Sequence, residues 1–484
     1  MPEGHGNGNG EADGGVAAGA AAGPGGGGAE VAEDQVHVVE YAAAIDVAKG
    51  FGMVCTRVPG SRPDRRRQKV WRVEAMHGEV IALMDHLRCE GIQRLVLEST
   101  SDYWRIWYYL AEAAGLEVWL VNARDVKHLP GRGKTDKLDC IWDCKLNERG
   151  MLRRSFVPPQ EIRDLRMLTR TRARLAQDQA RHQSRVEKIL EDALLKISVV
   201  ISDLFGTSGR RFLDALIAGE RDPRALAALG DYRLKASRQQ LQDALTGQFR
   251  DIHALEISTH LRLIDAINTE ITRLDEAIGE QLARVPRTAP ACTACGLAGG
   301  GHAPGCADDG TPLLSLADRL DELTGIGQCD ARVVIAELGT SPSQFPTPGH
   351  AAAWARLTTR ANQSGDTARN GRTGKGNPYL RAALGRAAMT AAKTDTRLGA
   401  QYRRIARRRG KKKAIVAVSR VICELAWILI CDPAARYHDP GPDYYSPRST
   451  ARQTRDKIRE IERLNPGRKV ILAPEDGTQA RQAA

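Results

Sequence analysis

The order of apolar segments between residues 36 and 150 constrains the fold of this chain more than any other feature of its sequence. Short apolar runs of strand length come first, and later runs alternate with segments whose apolar residues recur at helical spacing. The predicted strands cover residues 36–46, 51–58, 69–75, 93–98 and 117–121, and the predicted helices cover residues 78–90, 103–114 and 135–149. This pattern predicts an α/β domain built around one mixed sheet.

Carboxylates stand where two of these strands end. Asp46 closes the first apolar run and Glu98 closes the fourth, while Asp136 and Asp139 lie three residues apart at the start of the last helix. Three strands followed by strand–helix alternation is typical of a ribonuclease-H-like sheet, which would set Asp46 and Glu98 on adjacent strands. Helix capping is the alternative explanation for Asp136.

Carboxylates that converge repel one another unless a cation lies between them. A set of oxygen ligands favours Mg²⁺ or Mn²⁺ over zinc. The four acids therefore predict a metal site for phosphoryl chemistry on nucleic acid.

Charge is distributed unevenly along the chain. The net charge is +12, yet residues 1–40 hold seven acidic side chains and no Lys or Arg. The basic remainder predicts an anionic partner, most simply nucleic acid. The first 28 residues contain twelve glycines and almost no bulky side chains, which predicts disorder and excludes a signal peptide. We expect a cytosolic protein without a membrane span, because Arg420 and Glu424 interrupt the longest apolar run.

Residues 160–285 are helical in pattern and rich in charge. Two long segments with apolar residues at helical spacing predict an antiparallel coiled coil. The first segment also carries a row of arginines, for which a solvated helix face and contact with a nucleic-acid backbone both remain open: Arg163, Arg166, Arg170, Arg172, Arg174, Arg181 and Arg185.

The segment after residue 313 is again mostly helical and contains three candidate nucleic-acid contacts. Residues 323–338 resemble a helix–hairpin–helix, in which Gly325 and Gly327 would let backbone N–H groups approach a phosphate. Ser364 lies in a small, polar, glycine-rich loop between helices, where Arg372 and Lys375 would neutralise a phosphate. From the residues alone, a loop hydroxyl that makes a local hydrogen bond is the simpler explanation of Ser364. Residues 403–413 hold eight cations in eleven residues, and we assign phosphate contact to four of them: Arg407, Arg408, Lys411 and Lys412.

A Gly/Pro/Cys-rich insert separates the two halves of the chain. Cys292, Cys295, His302 and Cys306 follow the spacing Cys-x2-Cys-x6-His-x3-Cys, which is close to that of a zinc knuckle. The insert has almost no residues that form a core, so metal would be its main source of order. The alternative is a flexible insert with incidental cysteines.

These blocks in this order resemble the IS110 family of insertion-sequence transposases, the bridge-RNA-guided recombinases. The resemblance rests on four segments: residues 45–49 (IDVAK), 97–100 (LEST), 134–139 (KTDKLD) and 371–381 (GRTGKGNPYLR). It implies a RuvC-like domain bearing the Asp-Glu-Asp-Asp set and a C-terminal transposase domain with a catalytic serine, here Ser364. It also implies donor and target DNA, a structured guide RNA and a homotetramer (a dimer of dimers) in a bacterial cytosol. It does not supply the zinc site.

The expected organisation has six parts. A disordered acidic tail (1–35) precedes the RuvC-like catalytic domain (36–155) and the coiled-coil region (156–286). The Cys/His insert (287–312), the transposase domain (313–440) and a basic tail (441–484) follow. Two other functions remain open from sequence: a junction-resolving endonuclease that uses the four acids alone, and a non-catalytic nucleic-acid-binding scaffold.

Overall fold

The computed structural model describes residues 38–61, 65–99, 101–122, 135–285, 314–341, 344–359, 361–364, 367–371 and 373–471, without side-chain detail at 361–370, 446–453 and 456. The chain divides into two compact units, residues 1–157 and 158–484, and each is described by itself.

The first unit is a five-stranded mixed sheet with helices on both faces. Its elements are β1 (Ala42–Val47), β2 (Phe51–Pro59), β3 (Arg66–Glu74), α1 (His77–Cys89), β4 (Arg94–Glu98), α2 (Arg105–Ala113), β5 (Glu117–Val121) and α3 (Asp136–Glu148). The strand order is β3-β2-β1-β4-β5; β2 is antiparallel to β1 and β3, whereas β1, β4 and β5 are parallel. This arrangement is consistent with the RuvC-like fold that the sequence predicts.

The two faces of the sheet bury different side chains because strand residues alternate between them. On one face Ile45 and Leu97 pack with Trp107 of α2 and with the apolar side of α1. On the other face Ala44 and Val96 pack under α3. The sheet is therefore covered on both sides, as parallel strands with near-continuous apolar sequence require.

The first strand begins later than the sequence predicts. The N–H groups of Val38 and Val39 donate to the carbonyl oxygen of Glu148 at 2.9 and 3.2 Å, so this segment bonds to the end of α3. It has no free donors for the sheet at these positions, and β1 starts only at Ala42.

The second unit is mostly helical. Its first part contains α4 (Gln160–Asp192), α5 (Ile197–Val200), α6 (Thr207–Ile217), α7 (Pro223–Ala228), α8 (Arg238–Leu245) and α9 (Asp251–Ala283). The 33-residue helices α4 and α9 run antiparallel, since Arg172 pairs with Asp275 while Asp192, twenty residues later, contacts His253. Their apolar faces close over the short helices between them. Supercoiling of this pair stays a prediction.

The rest of the second unit contains α10 (Leu316–Asp321), α11 (Gln328–Leu338), α12 (Pro348–Trp354), β6 (Ala361–Ser364), β7 (Thr367–Asn370), α13 (Pro378–Ala391), α14 (Arg397–Arg409), α15 (Lys411–Cys431) and α16 (Ser446–Leu464). Helix α16 lies in the segment 441–484, for which the sequence predicts a basic tail. A 3₁₀ turn at Pro442–Tyr445 precedes it.

Helix α15 is the central helix of this part. Among the described residues it is the one helix long and apolar enough to cross a membrane. Its buried face, which includes Val418, Ile422 and Ala426, packs against α12, α13 and α14. Arg420 forms an ion pair with Glu424 at 2.8 Å on its other side. This packing is that of a core helix, as the sequence predicts.

Candidate active site

The carboxylates Asp46 and Glu98 lie side by side at one end of the sheet. Strands β1 and β4 are parallel, and their register pairs Ile45 with Leu97, which sets the next residues, Asp46 and Glu98, next to each other. Each follows by two positions a residue buried under α3, namely Ala44 or Val96, so both belong to the face that α3 covers. Glu98 is buried, and Asp46 is partly exposed.

Helix α3 begins beside this pair and carries the other two acids. The hydroxyl oxygen of Thr135 accepts from the N–H of Leu138 at 3.2 Å and caps the helix. Capping by Asp136, the alternative reading of that residue, is therefore wrong, because Thr135 already fills this role. Asp136 is exposed and Asp139 is half-buried in the first turn, where the helix dipole favours negative charge.

Buried hydrogen bonds fix the position of α3 on the sheet. The thiol of Cys140, next to Asp139, donates to the carbonyl of Met53 at 2.8 Å, and Met53 is the β2 partner of Asp46. One turn further the Cys144 thiol donates to the Ala42 carbonyl at 3.4 Å. Burial raises the pKa of both thiols well above the ordinary value, so they stay protonated donors.

The C-terminal end of α3 is held by hydrogen bonds and ion pairs. Asn147 donates to the carbonyls of Ala43 and Arg94 at 3.1 and 3.0 Å. The Glu148 side chain is 3% exposed and pairs with Arg57 at 2.8 Å and Arg66 at 2.7 Å. Together with the thiol hydrogen bonds, these contacts fix the position of α3 along the sheet and the direction of its axis.

The four acids supply only oxygen donors, a set that suits Mg²⁺ or Mn²⁺. Within the described residues, no three or more His, Cys, Asp or Glu side chains are gathered closely enough to coordinate one ion. Asp46, Glu98 and Asp139 each take part in other interactions within the protein. The donor chemistry thus fits a hard divalent cation, while coordination would require the side chains to turn toward a common point.

Ser364 lies at the turn end of a β-hairpin. Strand β6 ends at Ser364, which pairs with Thr367, the first residue of β7. The sequence predicts a loop here, and this prediction is wrong for residues 361–364 and 367–370. The four residues on each side of Gly365-Asp366 pair as an antiparallel ladder, although most of them are polar.

The chain that follows the hairpin is packed tightly at its base. Gly376 has a φ of +60°, and a Cβ atom there would lie 2.6 Å from the carbonyl oxygen of Ala355. The guanidinium of Arg381 donates to the carbonyl oxygens of Gly374 and, at 3.0 Å, Lys375. Lys375 keeps its side chain exposed. Arg372, the other cation predicted for this loop, lies outside the described residues.

The turn between α10 and α11 contains both predicted phosphate-binding glycines. Gly325 has a φ of +93°, and a Cβ atom there would lie 2.2 Å from the Ala387 carbonyl of α13. Close packing on α13 therefore explains Gly325 without a ligand. Gly327 begins α11, and a Cβ atom there would have only Asp321 in contact range, at 4.0 Å. Nucleic-acid contact by this turn stays a prediction.

The junction of α14 and α15 gathers exposed cations. Gly410 ends one helix and begins the next, with a φ of +84°. Six exposed side chains flank it, Arg407–Arg409 before it and Lys411–Lys413 after it. The helix dipole favours the three arginines at the end of α14 but disfavours the three lysines in the first turn of α15. Local structure thus does not account for the lysines, whereas a bound polyanion would.

Most of the arginine row on α4 is already paired inside the second unit. Arg170 forms a two-pronged ion pair with Glu337 at 2.7 and 2.8 Å, and Arg172 forms one with Asp275 at 2.6 and 2.9 Å. Arg166 donates to the backbone carbonyls of Ala336 and Glu337, both at 2.6 Å. Of the two readings that the sequence left open, the structure excludes backbone contact with nucleic acid as the main role of these three.

Sequence reasoning missed Glu337 and Asn377. Glu337 is fully buried, and its carboxylate also accepts from the side-chain amide of Asn377 at 2.6 Å. The available signal was a lone Glu in the apolar run of α11 with complementary arginines more than 150 residues away. The predicted zinc ligands Cys292, Cys295, His302 and Cys306 lie outside the described residues.

Two family models match this chain. A model for the DEDD transposases of IS110 matches residues 43–194, which contain all four acids. A model described as "Transposase IS116/IS110/IS902 family" matches residues 317–403, which contain Ser364. The Cys/His insert lies between the two matched segments. No curated protein matches the chain. The two segments occur in the order that the resemblance predicts, and the chain belongs to the IS110 family of transposases.

Proposed function

We propose that the chain cuts and rejoins DNA through a composite site made of the four acids and Ser364. The observation that carries this proposal is the adjacent placement of Asp46 and Glu98 at one sheet end, beside the helix turn that bears Asp136 and Asp139. Asp46 and Glu98 lie on neighbouring strands, and a cation between two such carboxylates would offset their repulsion.

The acids would hold Mg²⁺ or Mn²⁺, which supplies Lewis-acid polarisation of a scissile phosphate when bound. The protein's own contribution is to present oxygen donors at fixed positions. The strands fix Asp46 and Glu98, and the contacts of Cys140, Cys144 and Glu148 fix the helix that carries Asp136 and Asp139.

Ser364 would act as the nucleophile. As its oxygen bonds to the phosphorus, the bond to one deoxyribose oxygen breaks, and the serine proton leaves with that hydroxyl. A hydroxyl of another DNA strand then attacks the phosphoserine ester, which forms a new phosphodiester and returns the proton to the serine. No bond energy is lost to water, so the exchange needs no external energy source. The hairpin supports this role because it presents Ser364 at the end of a strand.

The exposed cations at the α14–α15 junction, with Lys375, would contact phosphates without reading bases. Sequence choice would then reside in a guide RNA that pairs with donor and target DNA, as the family resemblance implies. The same resemblance supports a tetramer in which the acids of one protomer meet Ser364 of another. Zinc bound by the Cys/His insert would be structural.

Neutralising the strand-end acids tests the proposal. Asp46→Asn and Glu98→Gln should each lower DNA cleavage by roughly a hundredfold or more, because several kcal/mol of charge stabilisation are lost. Binding of RNA and DNA should be unchanged in a gel-shift assay. Glu74→Gln, an exposed acid at the end of β3, is the matched control and should cleave normally.

Three outcomes separate the candidate functions. Cleavage that persists in both acid variants contradicts the metal-site proposal. Cleavage that needs the acids but leaves free DNA ends with no protein attached favours the junction-resolving endonuclease. Binding without any metal-dependent cleavage favours the scaffold.

A further inference from the structure

The buried carboxylate of Glu337 connects three helices of the second unit. It lies on α11, receives Arg170 from α4 through both carboxylate oxygens, and receives the amide of Asn377 at the start of α13. Arg166 approaches the same carboxylate at 3.5 Å. The Glu337 side chain has no exposed surface, so each of these hydrogen bonds is made away from water.

Charge balance shows that the cluster needs Glu337. Burial lowers the pKa of Arg166 to about 10, whereas the hydrogen bond to Glu337 raises the pKa of Arg170. Both guanidinium groups, those of Arg166 and Arg170, lie against the single carboxylate of Glu337. Breaking such a buried pair from one side leaves a charge without a partner, which costs far more than the pair itself contributes.

Asn377 performs two tasks with the two ends of one amide. Its oxygen accepts from the N–H groups of Tyr379 and Leu380, at 3.0 and 3.2 Å, and so caps α13. Its nitrogen donates to Glu337. Capping alone would be served equally well by Ser or Asp, which offer no amide donor. The side-chain N–H group of Asn377 is therefore not needed for capping.

The hydrogen bond from Asn377 to Glu337 holds the end of the segment that precedes α13. Residues 373–376 join the Ser364 hairpin to α13, and they are fixed on one side by Ala355 and on the other by Arg381. Tyr379 lies two residues after Asn377, and its ring centre is 5.0 Å from the guanidinium carbon of Arg170. Its hydroxyl accepts a hydrogen bond from Arg174 at 3.1 Å. The base of the hairpin is thus tied to the long helix α4 through Asn377 and Tyr379.

We propose that Glu337 and Asn377 are positioning residues for Ser364: their hydrogen bond sets the hairpin base relative to α4 and α11. This inference rests on the proposed role of Ser364 as nucleophile. A serine displaced by about 1 Å loses on the order of a hundredfold in rate, since the attacking atom must be aligned with the phosphate.

Asn377→Ser is the decisive variant. It keeps a capping oxygen for α13 and removes the donor to Glu337. We expect the rate of covalent adduct formation at saturating DNA to fall roughly tenfold to a hundredfold, with the DNA dissociation constant and melting temperature close to those of the wild type. Thr396→Ser exchanges the cap of α14, which has no contact with Glu337, and should leave the rate unchanged.

A double variant separates positioning from general damage. Asn377→Asp sets a second carboxylate against Glu337, and Glu337→Gln leaves the arginines without their counter-charge, so each should be slow. Combined, they exchange amide and carboxylate across the same contact and should recover much of the lost rate. A wild-type rate in Asn377→Ser, or no recovery in the double variant, would overturn the inference.

The proposed function can fail separately. If Ser364→Ala still forms the adduct, Ser364 is not the nucleophile, whatever the Asn377 variants do. If Ser364→Ala abolishes the adduct while Asn377→Ser matches the wild type, only the positioning role is wrong.

Discussion

The two groups of residues that the proposed function combines are held in different ways within their units. The acids lie on elements at the centre of the first unit: two adjacent parallel strands and a helix held by buried hydrogen bonds and a buried ion pair. Ser364 lies at the end of a two-stranded hairpin. The segment that follows the hairpin, residues 373–376, is held by the close packing of Gly376 and by Arg381, and Asn377 comes directly after it and bonds to Glu337. A two-stranded hairpin has little stability of its own, so the position of Ser364 depends on that base.

This difference assigns separate tasks to the two halves. Carboxylates that share a cation must be fixed closely, because their mutual repulsion would otherwise drive them apart. In the proposed mechanism Ser364 first attacks phosphorus and is later displaced from it, so it has to meet two DNA strands in turn. We therefore expect changes to the contacts that hold α3 to lower the stability of the first unit, and changes to the contacts at the base of the hairpin to lower the reaction rate.

The largest effect should follow from breaking the ion pair that holds α3. Glu148→Ala leaves Arg57 and Arg66 partly buried without a counter-charge, which should cost about 3–5 kcal/mol of unfolding free energy. Five of the seven tryptophans lie in residues 1–157, so the urea unfolding of the full chain followed by fluorescence reports mainly on this unit. Glu79→Gln, an exposed acid on α1, should cost less than about 1 kcal/mol. Equal curves for the two variants would contradict a rigidly held acid half.

A smaller effect, on affinity alone, should follow from neutralising the lysines that begin α15. Replacing Lys411, Lys412 and Lys413 by Gln should weaken duplex binding and lower the salt dependence of log Kd by up to about 2.7, near 0.9 per lost phosphate contact. Cleavage at saturating DNA should be nearly unchanged. The matched triple variant Arg224→Gln, Lys235→Gln and Arg238→Gln removes three exposed cations elsewhere and should keep the wild-type slope. Equal slopes would show that this junction does not contact phosphate.

The sequence predicted the fold of the first unit well for a physical reason. Within the described residues of the first unit, each strand and helix follows from apolar periodicity, and the parallel pairing of β1 with β4 brings Asp46 to Glu98. The error there comes from a contact that periodicity does not contain. Val38 and Val39 bond to the end of α3 instead of extending β1.

The surroundings of Ser364 were harder to predict because the residues that hold the hairpin base bond to partners far away in the sequence. Asn377 reads as an ordinary helix cap, and its bond to Glu337 joins residues 40 positions apart. The arginines of α4 read as a basic face, yet Arg170 and Arg172 pair with acids more than 100 positions away. Composition gives the number of charges but not their partners, and only the fold separates these paired cations from the exposed lysines of α15.

The most direct test of the composite site is the chemical identity of the protein–DNA link. Wild-type protein, incubated with Mg²⁺, guide RNA and a nicked donor duplex that traps the intermediate, should yield a covalent adduct on a denaturing gel. After digestion, mass spectrometry should locate the nucleotide on Ser364, and Ser364→Ala should give no adduct while binding DNA normally. A nucleotide on another residue, or an undiminished adduct in Ser364→Ala, would contradict the account.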